Sequence, residues 1–281
     1  MKPAAVYVNY GLQCIFCAFT VVLNPLTLRL QLREKKGISQ LTMVLVHLSI
    51  HFLFALTTAV YTGIVVVEFS FSIRQQDLLF WSGMFSSCSL VTAGLADFFL
   101  ALDRYLAITY HVKYLIEIKN KFTVYSILTE FFVYLTLMIL SWTQRVNTTS
   151  NVYTFIDQEN PFMQNIFSYV SFGFVVPNIV ITVVFMLKLK SVKRSVRTNL
   201  SVSYINARKA NIIVRYQMVL TTFFWVAPTV INFVVFYGFG VSSKEYVGPW
   251  TFTLLTFYIF SCSLLYRYRL KGKVVITPTS A

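Results

Sequence analysis

Charge is scarce in this sequence, and acidic charge scarcest: 12% of its 281 residues are Asp, Glu, Lys or Arg, and Asp and Glu together number 10. Soluble domains carry about 25% charged residues, which excludes a water-soluble globule and leaves an integral membrane protein as the class. Cysteine is also sparse. Cys14, Cys17, Cys88 and Cys262 all fall inside apolar runs, where a reduced thiol behaves as a small hydrophobe, so no disulfide framework is expected. The chain has no internal repeat and no low-complexity linker, and residues 1–281 read as one domain. It offers no nucleophile beside a base, no Gly-rich phosphate loop and no metal cluster, so no enzyme, cofactor or metal is expected.

What is present is apolar length. Hydrophobic residues make up 57% of the chain, and the mean hydropathy is +0.66. A helix crossing a ~30 Å hydrocarbon core needs about 20 apolar residues, and seven runs approach or exceed that length: 7–30, 41–67, 78–108, 122–142, 166–189, 214–239 and 250–266. The expected fold is therefore all-α, a seven-transmembrane helix bundle in a multi-pass cell-membrane protein. The first run is too long for a signal-peptide core and lacks a small-residue cleavage site, so it reads as an anchor that stays.

Orientation follows from the cations, because basic loops are retained in the cytoplasm. Of 24 lysines and arginines, all but Lys2, Arg74, Arg145 and Lys244 lie after the first, third, fifth and seventh runs. The N-terminus is expected outside and the C-terminus cytoplasmic. Insertion topology accounts for the net charge of +14, so nucleic acid is not an expected partner, whereas anionic lipid is. Asn147-Thr148-Thr149 is a glycosylation sequon on the outer side, and Asn199-Leu200-Ser201 lies on the inner side, where it would stay unmodified.

Ionisable groups at membrane depth are costly, and each is a functional candidate. Asp97 precedes Arg104 by two helical turns, which places both on one face of the third helix with Ser86, Leu90 and Ala93. On the second helix His47, His51, Thr58 and Thr62 form one stripe. Histidines at i and i+4 can hold a metal only with further ligands, and the sequence places no obvious third beside them; the plainer reading is interhelical hydrogen bonding. Matching depths pairs Asp97 with His51. Glu130, mid-run in the fourth helix, suits a neutral structural acid, a partner for another helix or a ligand contact. Pro177 and Pro228 lie inside the fifth and sixth helices, where each removes a backbone hydrogen bond; a bend for a moving bundle and a tolerated kink in a static one are both open.

With these residues in place, the chain resembles the rhodopsin-like (class A) G-protein-coupled receptors. Asp103-Arg104-Tyr105 ends the third run, followed by Leu106-Ala107-Ile108 and, in the next loop, Tyr114. Asn24, "VHLSIHFLFAL" in the second run, Pro177, "FFWVAP" in the sixth and "LLYRYR" in the seventh follow in the expected order. There are departures. Phe52 stands where the family has a second-helix acid, which argues against a sodium site of the usual kind. The disulfide between the third helix and the second outer loop has no cysteines to form it. Trp225 precedes Pro228 by three residues rather than two, Cys262-Ser263 replaces the usual Asn-Pro, and the fourth helix lacks its mid-span tryptophan. A short N-terminus, compact loops and these departures resemble the nematode-type serpentine chemoreceptors.

The resemblance implies a chemosensory receptor that converts binding of an extracellular ligand, small molecule or peptide, into activation of a heterotrimeric G protein. Asp103, Arg104, Tyr105 and Tyr266 would form the coupling switch, and Asn24, His47, His51, Asp97 and Glu130 an intramembrane polar network. Pro177 and Pro228 would be the helix bends. By depth, ligand contacts would come from Phe85, Ser86, Ser89, Ser168, Phe172, Asn232, Phe236, Trp250, Thr253 and Phe257. The competing class is a small seven-helix transporter or ion-conducting subunit using Asp97 and Glu130, which would commonly carry an internal repeat.

Overall fold

The computed structural model describes residues 4–33, 38–71, 75–110, 113–146, 154–195, 212, 214–240 and 249–270. In hydrocarbon no water can satisfy a backbone N–H or C=O, and a continuous helix satisfies nearly all of them internally. The apolar runs accordingly fold as long helices: α1 Ala4–Arg33, α2 Ile38–Phe71, α3 Gln76–Thr109, α4 Lys119–Thr143, α5 Pro161–Ser195, α6 Val214–Phe239 and α7 Trp250–Leu270. A π turn, Tyr114–Ile118, leads into α4, and a 3-10 turn, Phe155–Gln158, precedes α5. No strand occurs among the described residues; Arg145 and Glu159 form an isolated antiparallel bridge.

Six helices, over Ala5–Leu32, Thr42–Glu68, Gln76–Thr109, Ile116–Thr143, Pro161–Lys190 and Val214–Phe239, are long and apolar enough to cross a membrane. The run at 250–266 is also helical, but α7 has 21 residues with Arg267 and Arg269 in its last turn, and it is not among the six. Helices overrun their apolar cores at both ends. The start of α5 shows why: Pro161 needs no N–H partner at a first helical position, and the Asn160 side chain accepts the Phe162 N–H at 3.0 Å.

Helix α3 is the central post. Two-thirds of its most apolar stretch (67%) is buried, against 22% for α4 and 17% for α5. It packs on α2, α4 and α5, while α1 packs on α2 and α7. The outward faces of α4 and α5 expose Phe131, Phe132, Val180, Val183 and Leu187, an apolar surface suited to lipid tails. One buried cluster lies toward the Arg104 end of α3, built from Met43, Leu48, Leu100, Phe185, Met218 and Tyr266 among others. A second lies toward the Gln76 end, around Phe80, Met84, Cys88 and Phe155. The four cysteines are free thiols, three of them buried.

Both prolines singled out in the sequence lie within helices, and Pro25 of α1 is a third. Before Pro228, α6 widens into a π turn over Thr222–Val226. Proline cannot donate a backbone hydrogen bond and its ring crowds the preceding turn, which the wider turn relieves. The Trp225 ring then lies directly over Gly94 of α3, where a Cβ would fall 2.3 Å from the ring edge. Only glycine admits that approach.

Candidate functional site

The polar residues of α2 and α3 meet in the middle of the bundle. Asp97 is 3% exposed, and its Oδ1 accepts hydrogen bonds from Gln217 Nε2 of α6 at 2.7 Å and from the Tyr258 hydroxyl of α7 at 2.7 Å. His47 Nε2 of α2 lies 2.5 Å from the same oxygen. Four helices therefore share one carboxylate oxygen. Around it Tyr266 donates to Gln217 Oε1 at 2.5 Å and contacts His47 Nδ1 at 3.0 Å, and Thr221 donates to Tyr258 at 2.9 Å.

The donor sequence around this ring is constrained. If Tyr266 gives its proton to Gln217, it accepts from His47 Nδ1–H. His47 Nε2 then faces Asp97 Oδ1 at 2.5 Å, with Gln217 Nε2 2.9 Å from the same ring nitrogen. The cost of a carboxylate at this depth is offset by three convergent donors rather than by water.

The expected Asp97–His51 pair is present at ion-pair distance, with His51 Nε2 3.9 Å from Asp97 Oδ1, but the closer partner is His47. Both histidines lie on one face of α2, but one turn of displacement brings His47 level with the oxygen. The His51 ring packs on that of His47 with centroids 3.9 Å apart. It is fully buried, and among the described residues neither of its ring nitrogens has a hydrogen-bond partner; Asp97 Oδ2 has none either. Asp97 thus supplies the third metal-ligating group that the sequence did not place beside the two histidines.

Two turns along α3 lies a second charged cluster. Arg104 Nε donates to Asp103 Oδ2 at 2.7 Å, its Nη2 reaches the same oxygen, and the Tyr114 hydroxyl donates to Asp103 Oδ1. Asp103 and Arg104 are both buried. Burial, then the Asp103 carboxylate, pushes the Tyr114 phenol well above its ordinary value, which keeps its proton available to donate. Tyr105 is half-buried against the neighbouring apolar cluster. Tyr266 belongs to the Asp97 ring rather than to this one.

Other candidates are more scattered. Asn24 is buried and donates to the Leu48 carbonyl at 3.4 Å, tying α1 to α2. Glu130 is buried on α4 with Oε1 unpartnered among the described residues. Ser86 and Ser89 are buried and pair with Thr58 and Thr57 of α2, with Phe85 packed nearby in the second cluster. Phe172 stacks on Phe233 of α6 at 5.1 Å. On α7, Thr253 bonds Gln13 and Asn9 of α1, and Phe257 packs on Phe16 and Phe224. Ser168 is exposed and donates to the Gln164 carbonyl of its own helix. Asn232 and Trp250 are half-buried. These residues enter several separate contacts rather than one pocket. Asn147 and the Phe236 side chain lie outside the described residues.

Sequence reasoning missed Gln217 and Tyr258, the two donors that bind α6 and α7 to Asp97. Gln217 carries no charge and no motif, although an amide in an apolar run carries the same desolvation argument as an ionisable group. Tyr258 was hidden among 17 tyrosines. It shares a face with Tyr266 at i and i+8. Also missed was a strap across the Gln76 end of α3: Arg145 pairs with Asp77 at 2.6 Å, Gln158 Nε2 donates to the Gln76 carbonyl at 3.0 Å, and Ser141 donates to Glu159 at 3.0 Å. Phe155 packs against Gly83, where a Cβ would fall 2.2 Å from the Phe155 Cβ.

Compared with known proteins, the chain matches no family model, and no curated protein matches it.

Proposed function

We propose that this chain is a seven-pass chemosensory receptor of the cell membrane, with its N-terminus outside and its C-terminus cytoplasmic, that converts binding of an extracellular ligand into activation of a heterotrimeric G protein. The observation that carries this reading is the placement of Asp103 and Arg104 on α3 two turns from a ring that fastens α6 and α7 to the same helix. Any movement of α6 away from α3 must give up the Gln217 contacts, and its cost is set where the ring and the rim cluster adjoin. The π turn before Pro228 supplies a place for α6 to change register. The basic connectors support the orientation.

In this mechanism Asp103 holds Arg104 while the bundle is closed. A ligand that favours the open state shifts the population, by no more than its preference for that state. Arg104 then exchanges Asp103 for the G protein α subunit. The test is nucleotide exchange on purified G proteins in membranes carrying wild type or Arg104→Ala. The expected result is basal or ligand-driven exchange that falls in the variant. Exchange insensitive to the substitution for every α subunit tried would count against the receptor.

A further inference from the structure

We propose that His47, His51 and Asp97 form a binding site for a first-row transition-metal dication, with Zn2+ the natural probe, in the core of the bundle. One ligand atom from each residue lies within 4.8 Å of the other two, and all three side chains are buried. The histidines stand one turn apart on α2, so their rings project to the same side, and Asp97 faces them from α3. This inference does not rest on the receptor reading.

Unsatisfied atoms identify the place. Among the described residues, neither ring nitrogen of the fully buried His51 has a hydrogen-bond partner, and Asp97 Oδ2 has none either. A buried polar atom left without a partner is costly, and a cation would satisfy the His51 imidazole lone pair and an Asp97 carboxylate lone pair together. Zinc bonds of about 2.0–2.2 Å in a tetrahedron set ligand atoms about 3.3 Å apart. The 3.9 Å between His51 Nε2 and Asp97 Oδ1 closes to that with a small side-chain shift. The 2.5 Å between His47 Nε2 and Asp97 Oδ1 opens to the same spacing by a comparable side-chain shift.

The surroundings complete the case. A metal-bound imidazole is oriented by what its other nitrogen bonds, and His47 Nδ1 already has the Tyr266 hydroxyl at 3.0 Å. Tyr258 holds the carboxylate in the same way. Two imidazoles and one carboxylate, with water or hydroxide in the fourth position, suit Zn2+, Co2+ or Ni2+; Mg2+ and Ca2+ require more oxygen ligands than this place offers. Bound there, the ion would join α2 to α3 directly and compete with Gln217 for the Asp97 oxygen.

The test uses the full chain purified in detergent, stripped with chelator and titrated with Co2+, whose tetrahedral complexes absorb visibly. The expected result is one Co2+ per chain with a tetrahedral spectrum, displaced by Zn2+ and indifferent to Mg2+ and Ca2+. His51→Leu should fold, because the structure gives that imidazole no hydrogen bond to lose, and should abolish the spectrum. Tyr266→Phe should weaken affinity about 10-fold, and His111→Ala, which changes the third histidine, should leave it intact. No tetrahedral spectrum on folded wild type would overturn the proposal and leave an ordered water bridging His51 and Asp97. Equal binding by His51→Leu, or loss of binding in His111→Ala alone, would overturn it too.

Discussion

The two ends of α3 are held in different ways. At the Gln76 end a strap from the segment between α4 and α5 crosses the helix, with Arg145 on Asp77, Gln158 on the Gln76 carbonyl and Phe155 seated against Gly83. At the other end Asp103 binds Arg104 beside it on α3 and accepts the Tyr114 hydroxyl from the turn that follows. Contacts to a separate segment resist displacement of a helix end, whereas charges paired locally can be traded for an incoming partner without unpacking the bundle. One end is built as an anchor and the other as a contact that can be exchanged. The Asp97 ring lies between them as the point where α6 and α7 are tied to the post.

Breaking that tie should have the largest effect. Asp97→Ala leaves Gln217, Tyr258 and His47 without their common acceptor, and removing one partner from a buried charged pair costs about 3–5 kcal/mol. Thermal unfolding in detergent should register a loss of that order, and a smaller one for Arg104→Ala, because Tyr114 still satisfies Asp103. If the order is reversed, the rim cluster rather than the ring holds the bundle.

The anchored end can be loosened by pH. Burial raises Glu159 to about 7, with the Ser141 hydroxyl opposing the shift. The folded state therefore keeps this proton through a range in which the unfolded chain, near an ordinary carboxyl value of 4.5, has released it. Its contribution to stability is complete below about pH 4.5 and is lost as pH rises to about 7, at most about 3 kcal/mol. Unfolding midpoints measured across that window should fall with rising pH in wild type and flatten in Glu159→Gln. A wild-type profile already flat there would detach Glu159 from the anchor.

Much of the scaffold was legible in the sequence, because the long apolar runs had to become helices and the stripe from Ser86 through Asp97 to Arg104 could face only the bundle. The candidate ring was half legible. Asp97 and His47 stand out by charge at depth, but their partners Gln217 and Tyr258 are distant in sequence, and neutral polar residues on four helices reveal a shared atom only once the helices are packed. His51 shows the limit of depth matching: it reaches Asp97 at ion-pair distance, and the hydrogen-bonding contact falls one turn away at His47. The strap at the Gln76 end had no periodic signal at all, since Arg145, Phe155 and Glu159 lie in a connecting segment whose contacts depend on where α4 and α5 end.

Packing gives a finer comparison. Gly83→Ala drives a methyl toward Phe155 Cβ, an atom close to the backbone, whereas Gly94→Ala meets the far edge of the Trp225 ring. Overpacking of this kind costs about 1–3 kcal/mol, and the two variants should differ in where it appears. Limited proteolysis of the α4–α5 connection should accelerate in Gly83→Ala and not in Gly94→Ala. Equal acceleration would mean that the strap is not a separate anchor.

The smallest effect on stability is expected at the exchangeable end. Tyr114→Phe removes one donor from Asp103 while both Arg104 contacts remain, so the loss should be about 1 kcal/mol. Its consequence for coupling should be larger than its consequence for folding. With Tyr114 gone, Asp103 holds Arg104 in a less constrained geometry, and under the receptor reading Arg104 is released more often without ligand. Basal nucleotide exchange should then rise in Tyr114→Phe while the unfolding midpoint barely moves. A lowered midpoint with unchanged basal exchange would make this end a second anchor and remove the asymmetry along α3.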